Sequence, residues 1–307
     1  MNRVKRRPRP FRRAIFFVTL VGVTGARCAT IDVLWEKFSG ENAFTHVKRL
    51  VEFGPRPAGS MALEKSRAYI TEQLRSFSWN VSRQTFSAKT PRGSVTFTNL
   101  VATFPSSDRS VSPSFLLCSH YDTKTFDTIS FVGANDGGSS TGLLIEMARV
   151  LAMQPAMAVK TELVFFDGEE AFENFTETDG LYGSRHFAEE LRNSKQAKLF
   201  RGGMLFDMVG DKSLTITLPP NSPTSLATSL FAAADTLKLR EHFSYFDRDI
   251  TDDHTPLNAI GIPVIDIIDF DFPPWHTAGD TLDQLSVDSL QIVGRVALYA
   301  LARSELK

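Results

Sequence analysis

The side chains able to hold a metal or move a proton recur at one kind of position. His120 and Asp122 close an apolar run in CSHYD, Asp136 opens a helix in GANDGGSSTG, and Glu169 and Glu170 end LVFFDGEE. Asp207 lies near the end of GGMLFDMVG, and His276 sits in PPWHTAGD, a short way past PVIDIIDF. Imidazole with carboxylate is a donor set suited to zinc, with bonds of about 2.0–2.2 Å and an open position where the site is catalytic. Two carboxylates side by side repel each other unless a cation or a shared proton relieves them. If both end a strand, Glu169 and Glu170 point to opposite faces, one toward a metal and its neighbour toward substrate. A lone strand-end Asp or His is usually a turn former. Six residues at equivalent positions (His120, Asp136, Glu169, Glu170, Asp207, His276) argue instead for one site.

The elements that must bring them together can be read from periodicity. Helical spacing appears over 41–53, 61–77, 140–153, 184–192, 222–238 and 286–303. Strand-like apolar runs cover 94–104, 114–120, 161–167, 202–209 and 263–270. Several of these runs are apolar on both faces, as in a sheet covered by helices on each side. Interleaved strands and helices imply an α/β fold, a three-layer sandwich whose central sheet is mixed, mostly parallel and twisted. In open sheets of this kind, sites form outside the carboxyl ends of the strands, where the candidate residues fall.

The 307 residues are 42% hydrophobic, 11% aromatic and 22% charged, which excludes disorder and low-complexity architecture. The net charge of −1 is unevenly spread: of 34 Lys and Arg, eight lie in residues 1–27, where there is no acid. The rest of the chain carries 26 basic against 35 acidic side chains, a balance of −9. So acidic a domain lacks the basic surface that phosphate binding needs, so nucleic acid is not an expected partner. The basic residues 3–13 precede an apolar run, 14–26, shorter than the roughly 20 residues that span a bilayer. Residues 1–29 therefore read as a targeting segment, cleaved near 26–29, and 30–307 as one catalytic domain that is secreted or periplasmic and has no stable membrane span. If the leader were left uncleaved, it would act as an anchor with its basic flank on the cytoplasmic side. Arg27 before Cys28 does not suit lipidation of that cysteine. Two cysteines, Cys28 and Cys118, cannot build a disulfide framework, and Cys118 beside Leu116 and Leu117 reads as a buried structural thiol.

The motifs SHYDTK, GANDGGSSTG, FFDGEEAF, LYGSRHFA, DDHTPL and WHTAGDTLD occur in the order seen in the zinc aminopeptidase and glutaminyl cyclase superfamily, over most of residues 40–303. FGPRPAGS, FFDGEEAF followed by LYGSRH, DDHTP and Trp-His-Thr resemble the glutaminyl cyclases, which convert an N-terminal glutamine of a peptide to pyroglutamate and release ammonia. That resemblance implies one zinc ion held by Asp136, Glu170 and His276, with Glu169 as the proton-shuttling acid and base. It aligns Asp207 and Asp252 with two further catalytic acids, and Trp275 with the tryptophan before the histidine ligand. Peptides or proteins with an N-terminal glutamine would be the substrates. The aminopeptidase alternative implies two metals bridged by Asp136, with His120 and Asp207 completing the second site. All of those ligand types are present, so their presence leaves the metal count open.

Two positions depart from the animal cyclase pattern, and both are substrate-side candidates. Phe175 stands where those enzymes have tryptophan and can still form an apolar wall. Asp266 replaces a histidine, and either joins a carboxylate network with Asp252 or pairs with a basic side chain. The remaining histidines have plainer readings. His46 and His186 lie on helical patterns, and His242 lies in a loop. His254 reads as a helix-start residue, with Thr255 and Asp253 as alternative caps. Phe270 and Phe272, before Pro273-Pro274, are expected at the mouth of the site.

Overall fold

The computed structural model describes residues 31–305, apart from residue 109. The leader at 1–29 and Cys28 thus lie outside the described residues. Eight strands form one sheet: β1 (Asn80–Thr90), β2 (Gly93–Thr103), β3 (Phe115–His120), β4 (Thr161–Phe166), β5 (Gly202–Asp207), β6 (Ile216–Leu218), β7 (Phe243–Tyr245) and β8 (Val264–Ile268). Their order is β1-β2-β4-β3-β5-β8-β6-β7. The central strands β4, β3, β5 and β8 run parallel, so their carboxyl ends share one edge. The β1–β2, β2–β4 and β6–β8 pairings are antiparallel, which makes the sheet mixed, as expected.

Strand alternation divides the core in two. Phe115 and Leu117 of β3 point into a large cluster on one face, and Leu116 and Cys118 into a smaller one on the other. The large cluster is closed by α1 (Gly40–Glu52), α2 (Met61–Ser76), α3 (Gly138–Ala152), the short α4 (Pro155–Ala158), α6 (Thr224–Thr236) and α8 (Val287–Glu305). On the opposite face lie α5 (Tyr182–Asn193) and α7 (His254–Ala259), which bring Phe187, Leu191 and Leu257 against β3 and β4. Helix α1 shows how locally this is encoded. Ser39 accepts a bond from the Asn42 amide as its N-cap, and Ala43, Val47 and Leu50 repeat at intervals of four and three and are fully buried.

Three strands escaped the periodicity reading. β1 is an edge strand of polar sequence, NVSRQTFSAKT, largely exposed. β6 and β7 have three residues each, so the segment after His242 is a strand rather than loop. Helix α7 begins at His254 with Asp253 at its N-cap position, as expected, although the Asp253 side chain makes no capping bond. No helix among the described residues is long and apolar enough to cross a membrane.

Candidate active site

His120 and Asp207 are the last residues of β3 and β5, and so stand together at the carboxyl edge. Glu169 and Glu170 are placed differently from the expectation. Strand β4 ends at Phe166, and Gly168 turns the chain with φ +74°, where a Cβ would come within 2.4 Å of the Phe97 ring. The two glutamates therefore sit in a loop, and strand alternation does not separate them. Asp122 clamps that loop, its two carboxylate oxygens accepting from the backbone amides of Glu169 (3.2 Å) and Glu170 (3.3 Å).

Asp136 precedes α3, whose N-cap is Gly137 at φ +73°. The amides of Asn135 and Asp136 donate to the two oxygens of Asp280, at 2.7 and 3.1 Å. Asp280 lies four residues past His276, so one carboxylate ties the loops that carry both. His276 itself adopts φ +55°, a strained conformation for a residue with a Cβ. Its ring stacks on Trp275 at 4.2 Å and meets the edges of Phe126 and Phe131 at 5.8 Å. Fully buried Arg56, from FGPRPAGS, donates to the carbonyls of Tyr121 (3.2 Å), Val132 (2.6 Å) and Gly133 (2.9 Å), fixing the segment before Asp136 against the end of β3. Asp280 and Arg56 were not singled out as functional from sequence, and Asp122, read there as a possible ligand, instead braces the glutamate loop. Each lies inside a motif already quoted, and position in the motif was the available signal.

His276 Nε2 lies 3.4 Å from both Asp136 Oδ2 and Glu170 Oε2. That is long for an N–H···O bond, yet it is close to the edge, about 3.4 Å, of a tetrahedron with bonds of about 2.1 Å. Asp136 Oδ2 and Glu170 Oε2 are buried without a hydrogen bond, and the three donor atoms lie within 4.8 Å of one another. An imidazole and two carboxylates so disposed fit zinc. His120, Asp136 and Asp207 form a second such set sharing Asp136, with His120 Nε2 at 3.3 Å from Asp136 Oδ1 and 3.1 Å from Asp207 Oδ1.

The electrostatics tell the same story of uncompensated charge. Burial and then the Asp136 charge raise Glu170 to about 7. Burial pushes the His276 imidazole down, but contact with Asp136 and Glu170 outweighs it and lifts the group to about 9. Glu169 is raised well above the carboxylate range by burial, against the pull of His120 and with the help of Glu170. Asp252 is raised likewise, by burial and then by Asp207 and Asp253. Lys124, 3.8 Å from Glu170 Oε2, offsets part of this charge, and a cation bound among these donors would offset more.

These groups line a cavity of about 240 Å³, with Asp136, Glu169, Glu170, Asp207, Asp252 and His276 on its polar side. Phe175, Phe246, Phe270 and Trp275 form its apolar walls. Asp179 supports the Phe175 wall by accepting from the amides of Phe172, Glu173 and Asn174. Asp266 does not line this cavity. It is fully enclosed in the middle of β8, on the sheet face covered by α7, with His254 Nδ1 3.5 Å from its Oδ2, which removes it from the substrate side where it was expected. Phe272 also departs from expectation: it packs with Met208, Ile250 and Ile268 in a small core cluster rather than at the mouth. His46 bonds the Tyr69 hydroxyl (2.6 Å) and His186 stacks on Phe86 (4.0 Å), both remote from the cavity.

Residues 99–301 match the family described as peptidase family M28. The chain belongs to that family. A glutaminyl-peptide cyclotransferase of Dictyostelium discoideum is 31% identical over 87% of this chain and 86% of its own length. The crystal structure of an Acidobacteriales bacterium glutaminyl cyclase superposes with a TM-score of 0.77 at 34% identity, covering 86% of this chain and 94% of that one. A Zn-dependent exopeptidase from Parabacteroides distasonis has a TM-score of 0.78 at 26% identity, covering 86% and 98%. Within family M28 these relatives support an enzyme of the glutaminyl cyclase type on the α/β fold expected from sequence.

Proposed function

We propose that this protein is a zinc-dependent glutaminyl-peptide cyclotransferase, an acyltransferase that converts the N-terminal glutamine of peptides or proteins to pyroglutamate and releases ammonia. One observation carries the reading: His276, Asp136 and Glu170 converge on an aromatic-walled cavity with a further buried glutamate, Glu169, beside them. The cyclotransferases among the relatives favour that reaction over others on the same fold.

Asp136, Glu170 and His276 would hold one zinc ion. Zinc bound there supplies a Lewis acid that polarises the γ-carboxamide oxygen of the substrate. Glu169 accepts a proton from the α-amine as that nitrogen bonds to the γ-carbon, then returns it to the departing nitrogen, so that the C–N bond of the amide breaks and ammonia leaves. Burial suits Glu169 to this work, since raising the carboxyl group above its ordinary range makes its carboxylate a stronger proton acceptor than a solvated glutamate. Asp207 and Asp252 put carboxyl groups on the cavity wall, where the α-ammonium group must arrive and would favour their ionised form. Trp275 and Phe175 flank the glutamine side chain and limit water. Cyclisation needs no attacking water, because nucleophile and electrophile belong to one residue and need only be held in a near-attack geometry.

The second reading is a zinc aminopeptidase using two metals, favoured by the His120, Asp136 and Asp207 set. The basic and apolar character of residues 1–29 supports an exported, secreted or periplasmic setting. A Gln-initiated dipeptide amide should lose the mass of one ammonia on incubation with the protein, read by mass spectrometry. Unchanged Gln peptide, together with hydrolysis of Leu-p-nitroanilide, would transfer the assignment to the aminopeptidase.

A further inference from the structure

Behind the cavity lies a second group of donors that the proposed reaction does not use as ligands. Asp252 and His254 come from the start of α7, and Asp266 from the middle of β8. Their residue exposures are 3%, 4% and 0%, so bulk water does not serve them. Each offers one donor atom, and the three atoms lie within 4.8 Å of one another. Four polar atoms here are buried without a hydrogen bond: Asp252 Oδ2, His254 Nδ1, and both oxygens of Asp266. An unsatisfied buried donor or acceptor is destabilising, and more so when charged. Several such atoms turned toward one another imply a shared partner.

The spacing says which partner. A proton held between His254 and Asp266 would draw them to about 2.7–3.2 Å. His254 Nδ1 instead stands 3.5 Å from Asp266 Oδ2, close to the 3.4 Å that separates His276 from Asp136 and Glu170. Charge points the same way. Among the described residues, no Lys or Arg pairs with Asp252 or Asp266, while Asp207 and Asp253 add like charge from nearby. The geometry points to a buried divalent-cation site of the zinc class, held by Asp252, His254 and Asp266 and separate from the set Asp136, Glu170 and His276. Such an ion would serve the fold rather than the reaction, its fourth position filled by water or by a second carboxylate oxygen. It joins α7 to β8, and it fixes Asp252, which reaches the cavity wall.

This site does not depend on the cyclotransferase reading. Elemental analysis of the purified protein tests it. Asp266→Asn and His254→Gln should each carry one ion fewer per chain than the unmodified protein and melt at a lower temperature, with the ion at Glu170 retained. A folded Asp266→Asn protein with undiminished metal content overturns the site and leaves a proton shared within the triad. Should both variants fail to fold, anomalous diffraction from the unmodified protein at the zinc edge decides. A peak between Asp252, His254 and Asp266 supports the site, and a flat map there rejects it.

Discussion

The carboxyl-edge rim and the helical layer beneath it are built on opposite terms. In the layer, α1, α3 and α8 bury Val47, Leu151 and Leu298 completely and pack so closely that a Cβ on Gly142 would meet Val47 at 2.6 Å. Two of its helices begin at side-chain caps, Ser39 for α1 and Ser60 for α2. At the rim, Met208 and His276 hold φ of 48° and 55°, and buried carboxylate oxygens of Asp136 and Glu170 lack hydrogen bonds. Helix α3 belongs to both, its N-terminus following Asp136 while its body is core. The contrast teaches that the layer supplies the stability that holds the rim in an arrangement it would not adopt alone.

Glu169→Gln is the sharpest way to break that division. Losing its proton transfer should lower conversion of a Gln peptide by about 10²–10⁴-fold. Metal content should stay unchanged, and the melting temperature should hold or rise, because a buried raised carboxyl group has been replaced by a neutral isostere. A melting temperature that falls with activity would mean that Glu169 supports the fold. Leu298→Ala is the converse. A cavity in the layer should cost about 2–5 kcal/mol in denaturant unfolding, with kcat of the surviving folded protein unchanged. A matching loss of kcat would erase the distinction between the regions.

The same division decided what could be read from sequence. The layer was legible because its signal is local: apolar residues at helical spacing in α1, α3 and α8, and continuous apolar runs in β3, β4 and β5. β1 was not, because an exposed edge strand has no apolar run to find, and β6 and β7 are too short to show a period. At the rim, the identities of Asp136, Glu170 and His276 were legible from motif order, but their placement was not. Glu169 and Glu170 owe theirs to Asp122, which lies 47 and 48 residues away in the chain. The distance from Asn135 to Asp280 is 145 residues, and no spacing within a motif reports such a contact. Asp266 misled for a related reason: a strand-centre acid reads as a wall residue until its neighbours show it enclosed.

Asp280→Asn tests the outer support of the rim. It keeps one acceptor and removes the charge that holds the amides of Asn135 and Asp136. Supporting contacts to metal ligands are commonly worth about 10–100-fold in affinity. Competition with a chelator should therefore strip metal from Asp280→Asn at correspondingly lower concentration, with little change in unfolding free energy. Unchanged metal retention would confine Asp280 to a purely structural tie.

The smallest expected effect marks where titration enters the layer. His46 of α1 is buried beside Tyr69, and burial, then the nearby Arg149 charge, lower its imidazole to about 4. The folded state thus favours the neutral ring, whereas the unfolded chain takes up a proton near 6.5. The contribution is complete above about 6.5 and is lost as pH falls toward about 4, because the unfolded state then binds more protons. At pH 5 the loss is about 2 kcal/mol, since each pKa unit is worth about 1.4 kcal/mol. His46→Gln should flatten the dependence of unfolding free energy on pH between about 5 and 7 by that amount while leaving Gln-peptide conversion unchanged. A pH profile identical to that of the unmodified protein would show that the His46 ring does not carry the acid sensitivity; the raised rim carboxyl groups work in the opposite sense, since the folded state holds their protons more tightly.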